Sequence, residues 1–167
     1  MNPAGEQTIR QKLAKHIKGG QAFSTIDNIV EKVPYKQIGK QPDGLPYSFY
    51  QLFFHIRIAQ YDILEYCRNP DYEEIAWPDD YWPANDRPDN EEAWLDLKEK
   101  FFRERDEFCD LILDEGNDLT SRFTSNPDHN LFRQAQLIIE HNSYHTGQLY
   151  MIARLLNRKR GDKSDSD

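Results

Sequence analysis

Apolar residues recur at helical spacing in four long runs of this chain, and nowhere do they alternate as a half-buried strand would. The first run extends from about Glu6 to Lys32, with Ile9, Leu13, Ile17, Gly20, Phe23 or Ser24, Asp27 and Val30 in phase. That phase predicts one helix passing through Gly19-Gly20, bent or pressed against a neighbour there. Two helices with a turn at the pair remain the alternative, because a glycine costs about 1 kcal/mol in a helix interior. Val33-Pro34 ends the run, and Gly39 to Pro46, with its prolines and glycines, reads as a connecting loop.

Ser48 followed by Gln51 has the form of a capping box. The helix it opens, Phe49 to Cys67, carries Leu52, His55 or Ile56, Ala59, and Asp62 or Ile63 on one stripe. Phe53, Phe54 and Ile58 extend its apolar surface, which suits a central position in a bundle. From Asn69 to Asn90 the text changes to Pro70, Pro78, Pro83, Pro88 and many Asp and Asn residues, with Tyr72, Trp77, Tyr81 and Trp82 among them. A loop of that length is unusual in a compact domain, and its aromatics predict that it packs over the domain as a pocket wall.

Asp89 or Asn90 caps a third helix whose inner face is Trp94, Leu97, Phe101, Phe108, Leu111 and Ile112, ending near Asp114. After a loop through Leu119 and Phe123, Asn126-Pro127 offers a cap and first turn for the last helix, whose body runs from Asn130 to Arg158. Four long helices with one long connection predict an all-α four-helix bundle. Periodicity by itself leaves simple up-down and crossover topologies open. We expect a single domain over residues 1–160 and a disordered, charged tail over 161–167.

The formal charge of -8 and a pI near 5.1 argue against a nucleic-acid footprint. The one basic cluster, Arg158-Lys159-Arg160, runs straight into the acidic tail. Cys67 and Cys109 are isolated and read as small buried hydrophobes rather than a disulfide or metal pair. No apolar stretch approaches a membrane span, and the first residues do not form a signal peptide, so a cytoplasmic protein without a membrane partner is expected.

The candidate chemistry lies in three histidines. His141 and His145 stand four apart, so they point the same way from one helix, on a face shared with Ile138, Ile152 and the Leu155/Leu156 pair. That face should be buried, and two buried imidazoles need a partner such as a metal ion. His55, in another apolar helix, could complete a three-nitrogen set that leaves a position for water or substrate. In His141-Asn142-Ser143-Tyr144-His145, Asn142 stands where the zinc-protease motif has its glutamate base. Asp62, two turns after His55, is therefore the candidate base or supporting carboxylate, with Glu65 beside it, and Tyr144 is a candidate donor. His16 and His129 are expected to be exposed or capping. The plain alternative is that all these histidines are simply hydrogen-bonded.

Two stretches carry a family resemblance. Gln51-Leu52-Phe53-Phe54-His55-Ile56-Arg57-Ile58-Ala59-Gln60 and His141-Asn142-Ser143-Tyr144-His145-Thr146-Gly147-Gln148-Leu149 resemble the second and fourth helices of the DinB-like proteins, also described as the YfiT-like metalloenzyme superfamily. The resemblance implies a four-helix bundle with a long crossover, often a homodimer, binding one divalent ion (zinc, nickel or iron) through His55, His141 and His145. It implies that Gly147 lets its helix approach a neighbour closely. Some relatives are thiol-dependent transferases or isomerases using a low-molecular-weight thiol. The leading reading is a metal-dependent enzyme for a small-molecule substrate, with water or a thiol as nucleophile. Arg57, Arg68 and Arg103 are candidate contacts for an anionic thiol. The alternative is a non-catalytic, metal-stabilised bundle that binds a ligand or is purely structural.

Overall fold

The computed structural model describes residues 3–157; the expected tail, the Arg158-Lys159-Arg160 cluster and the helix end expected at Arg158 lie outside them. Among the described residues six α-helices follow one another: α1 (Pro3–Lys18), α2 (Ile26–Val30), α3 (Tyr35–Ile38), α4 (Phe49–Arg68), α5 (Glu91–Leu113) and α6 (Leu131–Asn157), with a 3-10 turn at Asp79–Tyr81. The four long ones form the expected all-α bundle. Around it α1 packs on α5, α5 on α4, α4 on α6, and α6 back on α1.

Side-chain pairings give the directions. Arg10 meets Ile112 and Asp114 while Lys18 meets Asp106, so α1 and α5 are antiparallel. Phe53 meets Trp94 and Arg68 meets Glu107, so α4 and α5 are parallel. His55 pairs with His141 and Tyr66 with His129, so α4 and α6 are antiparallel. Parallel neighbours require the intervening chain to return the length of the bundle, which is the work of the segment between α4 and α5. The long crossover is therefore present, and it decides the topology that periodicity left open.

The first run is two helices, not one. The α1 helix stops at Lys18, and Gly19 and Gly20 take φ of 78° and 76°. Only glycine enters that left-handed region without strain, so the pair is a turn, and the apolar phase beyond it is kept by α2 as a separate element. Phe23, placed in phase by the sequence, is 47% exposed. The short α3 was not anticipated; it buries Ile38.

The capping box at Ser48 and Gln51 is present in both directions, at 3.1 and 2.9 Å, and the Ser48 hydroxyl also donates to the Asp86 carbonyl at 2.5 Å. Asn90 caps α5. The last helix starts later than Asn126-Pro127: Asn130 Oδ1 accepts from the Arg133 amide at 2.8 Å, while Asn126 Oδ1 serves the Asp128 amide. An isolated antiparallel bridge between Arg122 and Asn130 pinches off that loop before the helix can begin. At the far end of α5, the wholly buried Arg10 guanidinium donates to the carbonyls of Ile112, Asp114 and Asn117, closing acceptors that the helix leaves free.

The interior divides into two apolar clusters. One gathers Ile29, Ile38, Phe49, Phe53, Trp94, Phe101 and Leu149; the other gathers Ala14, Leu64, Phe108, Ile112, Leu131 and Ile138. Between them α4, α5 and α6 contribute Arg57, Gln60, Glu104 and Asn142. Arg57 and Glu104 form a bidentate ion pair, and burial still holds the Glu104 carboxyl above its usual pKa. Both cysteines are free thiols, Cys109 buried and Cys67 half-buried, and burial pushes them up to about 11 and about 12. Among the described residues no helix is long and apolar enough to cross a membrane.

Candidate metal centre

Three imidazoles from two helices meet at the edge of the buried polar band. His55 comes from the inner face of α4 and is 3% exposed. His141 and His145 come from α6 and are half-buried. Their face is not the buried one. The buried stripe of α6 runs through Ile138, Asn142, Thr146, Leu149, Ile152 and Ala153, and the histidines flank it. Leu155, expected on the buried face, is 43% exposed. A one-residue step is about 100° on a helix, enough to move both rings from the core to its margin.

One ligand atom from each ring lies within 4.8 Å of the others, so the set could hold a metal ion. The ring nitrogens are assigned by their neighbours. His55 Nδ1 lies 3.3 Å from the backbone carbonyl of Tyr81, which can only accept, so Nδ1 carries the proton and Nε2 the lone pair. For His141 the argument starts across the bundle. The Phe101 carbonyl accepts from Gln60 Nε2 at 2.9 Å, and this turns Gln60 Oε1 toward Asn142 Nδ2 at 3.2 Å. Asn142 Oδ1 is then the acceptor facing His141 Nδ1 at 3.3 Å. His141 must donate there, leaving Nε2 bare. His145 Nδ1 faces Gln148 Oε1 at 2.6 Å, which supports the same tautomer.

The consequence is a juxtaposition that neutral imidazoles do not favour. His55 Nε2 and His141 Nε2 stand 3.2 Å apart, each presenting a lone pair to the other. Two nitrogens bound at about 2.0–2.1 Å to one tetrahedral ion stand roughly 3.3–3.4 Å apart. The donor set, its spacing and the outward hydrogen bonds thus fit a divalent cation. Protonation is disfavoured as well: burial first, then the neighbouring imidazoles, lowers His55 to about 4, and burial with His145 lowers His141 to about 4. Burial also lowers His145. Each shift favours the neutral imidazole, the form that can ligate a metal.

The crossover segment forms the wall expected of it. Trp82 stacks on the His55 ring at 4.2 Å and 3°, and Tyr47 stacks on Trp82 at 5.5 Å. Asp62 is not part of the histidine cluster. Its two oxygens accept the hydroxyls of Tyr72 and Tyr81, each at 2.7 Å, tying the crossover down at the residue whose carbonyl orients His55. Glu65 is engaged by Arg68. Tyr144 lies beside the His145 ring at 4.9 Å and is 67% exposed. The expected basic patch is committed elsewhere, Arg57 to Glu104, Arg68 to Glu65 and Glu107, and Arg103 to Glu107. His16 is exposed, and His129 is half-buried against the Tyr66 hydroxyl at 2.9 Å. Gly147 departs from its expected role: among the described residues a Cβ there would have no neighbour within 4 Å, so none of them packs closely on the helix at that point.

Gln60, Asn142, Gln148 and the Tyr81 carbonyl, which set the tautomers, were not assigned that work from the sequence. The available signal was a polar amide at an apolar period, as at Gln60 and Asn142, since a buried amide must be hydrogen-bonded to something.

No curated protein and no solved structure matches the chain. A family model, that of the DinB superfamily, matches residues 21–149, from the turn after α1 to the second half of α6. The match spans most of the sequence and takes in all three histidines of the site, and the chain belongs to the DinB superfamily.

Proposed function

We propose that His55, His141 and His145 hold one divalent metal ion and that the chain is a metal-dependent enzyme for a small-molecule substrate. The observation that carries this is the pair of Nε2 lone pairs facing each other at 3.2 Å, with the other nitrogen of each ring committed outward. A divalent ion bound there would lower the pKa of a water or thiol and polarise a substrate electrophile. The protein's own contribution is orientation. Tyr81, Asn142 and Gln148 fix the rings, and Trp82 shields one face of His55 from water.

Asp62 belongs to this reading as a positioning residue that acts through Tyr81, because both of its oxygens are occupied by phenols. Tyr144 has a free approach to the site mouth and is our candidate proton donor to bound substrate. A thiol nucleophile of the kind used by some YfiT-like relatives remains within this proposal. A strongly anionic thiol is the poorer candidate, since Arg57, Arg68 and Arg103 already serve carboxylates. We propose a homodimer as well, for which Tyr150, Met151 and Leu155 supply an exposed apolar face on α6.

Elemental analysis of protein purified without an affinity tag tests the central point. Close to one divalent ion per chain is expected, and His145→Ala should lose it. Full occupancy in that variant excludes the ligand set. Turnover of electrophiles with water or thiols by the loaded protein then separates an enzyme from a non-catalytic binder.

A further inference from the structure

We infer that the site selects ligands in which a compact anionic donor head is carried on an aromatic body, the body resting against Trp77 and Tyr144. This deepens the proposed function and rests on it. The first ground is charge. Three neutral imidazoles add nothing to offset a divalent ion, and what faces their outer nitrogens is three uncharged acceptors, the Tyr81 carbonyl and the Asn142 and Gln148 amide oxygens. Asp62, two turns after His55, is occupied by two phenols, and Glu140, which precedes His141, is exposed to solvent. An anionic head therefore suits the centre, while no free guanidinium among Arg57, Arg68 and Arg103 is left for a second anionic group further out.

The second ground is the rim. Trp77 and Tyr81 stand with ring centroids 6.3 Å from the His55 ring, and Trp77 contacts Tyr81 edge-on at 4.9 Å. Tyr144 stands against His145 at 4.9 Å, and on the His55 side Trp82 stacks on the imidazole with Tyr47 stacked on Trp82 in turn. Packing explains Trp82, Tyr81 and Tyr47, which are sheltered by their neighbours. It does not explain Trp77 and Tyr144, which are 68% and 67% exposed, the two most exposed large hydrophobic side chains among the described residues. Trp77 lies by the His55 ring, at 6.3 Å, and Tyr144 by the His145 ring, at 4.9 Å. Rigid aromatic faces left in water beside a polar centre offer stacking and edge contacts to an arene, and little to a chain of charged groups.

The experiment uses cobalt(II)-loaded protein and two probes with the same donor head, benzohydroxamate and acetohydroxamate, which differ in the arene alone. Binding is read from the visible cobalt bands and from tryptophan fluorescence. Benzohydroxamate should bind at least about 10-fold more tightly, the increment a buried aromatic contact supplies. Trp77→Ala and Tyr144→Ala should each collapse that preference, Trp77→Phe should retain it, and acetohydroxamate affinity should be unchanged in Trp77→Ala. Equal binding of the two probes, or a preference that survives both alanine variants, overturns the inference and leaves the metal reading intact. Silence of the cobalt bands with both probes overturns the two together.

Discussion

A side chain at this site is defined less by its identity than by which of its atoms is already spoken for. Gln148 is the clearest case. The sequence places it directly after Gly147 with no evident task, and its Oε1 proves to sit 2.6 Å from His145 Nδ1. It is half-buried, so its removal should leave folding nearly unchanged while freeing the ring to rotate and to change tautomer. Gln148→Ala is expected to weaken metal affinity by roughly 10- to 100-fold. The unfolding free energy of the metal-free protein should move by less than about 0.5 kcal/mol. Competition against a chromophoric chelator measures the first and urea unfolding the second. Unaltered affinity would mean that the hydrogen bond does not orient the ligand.

Among the elements, the ones legible in the sequence were those announced by local chemistry. Ser48 and Gln51 advertise their helix because the capping box needs both residues and little else, and Asn90 does the same for α5. The gathering of His55, His141 and His145 in one cluster was likewise legible, from two imidazoles four apart on one helix and a third in another apolar helix. What was not legible depended on backbone conformation or on residues far apart in the chain. Gly19 and Gly20 fit the helical period, and only their positive φ shows them to be a turn. The margin position of His141 and His145 depends on which stripe of α6 the other three helices cover. These glycines give opposed expectations on substitution. Gly20→Ala would set a Cβ at 2.8 Å from Thr25 Cγ2 on a backbone with φ of 76°, and should cost more than the about 1–2 kcal/mol of the left-handed conformation itself. Gly19→Ala has the same conformation without the contact and should cost only that. Gly147→Ala, in a helix and facing open space, should stabilise by about 1 kcal/mol. Urea midpoints for the three variants check the order, and a Gly147→Ala protein less stable than the parent would show that something does lie against that face.

Over the whole molecule, the two apolar clusters are separated by a band of buried polar groups that a bundle built only for stability would not need. Gln60 and Asn142 are 1% and 6% exposed, and together they relay the Phe101 carbonyl to His141. Replacing one of them strands the other. Gln60→Leu leaves the Asn142 amide nitrogen without its acceptor in the interior, and should cost about 1–3 kcal/mol, with metal affinity reduced because Asn142 is free to turn its amide around. Asn142→Leu strands Gln60 Oε1 and should cost a similar amount. The double replacement removes both stranded groups, and the two clusters can join through leucine. Its metal-free form should recover most of the lost stability, so that the coupling between the two sites is favourable by more than about 1 kcal/mol. Metal affinity should not recover, because His141 Nδ1 still lacks the acceptor that fixes its tautomer. Stability restored with affinity still low would assign the band to preparing a ligand at the metal centre, a fold carrying buried amides for its site rather than for itself. If affinity returns along with stability, the relay from α5 is only packing, and His141 finds its orientation from the helix that bears it.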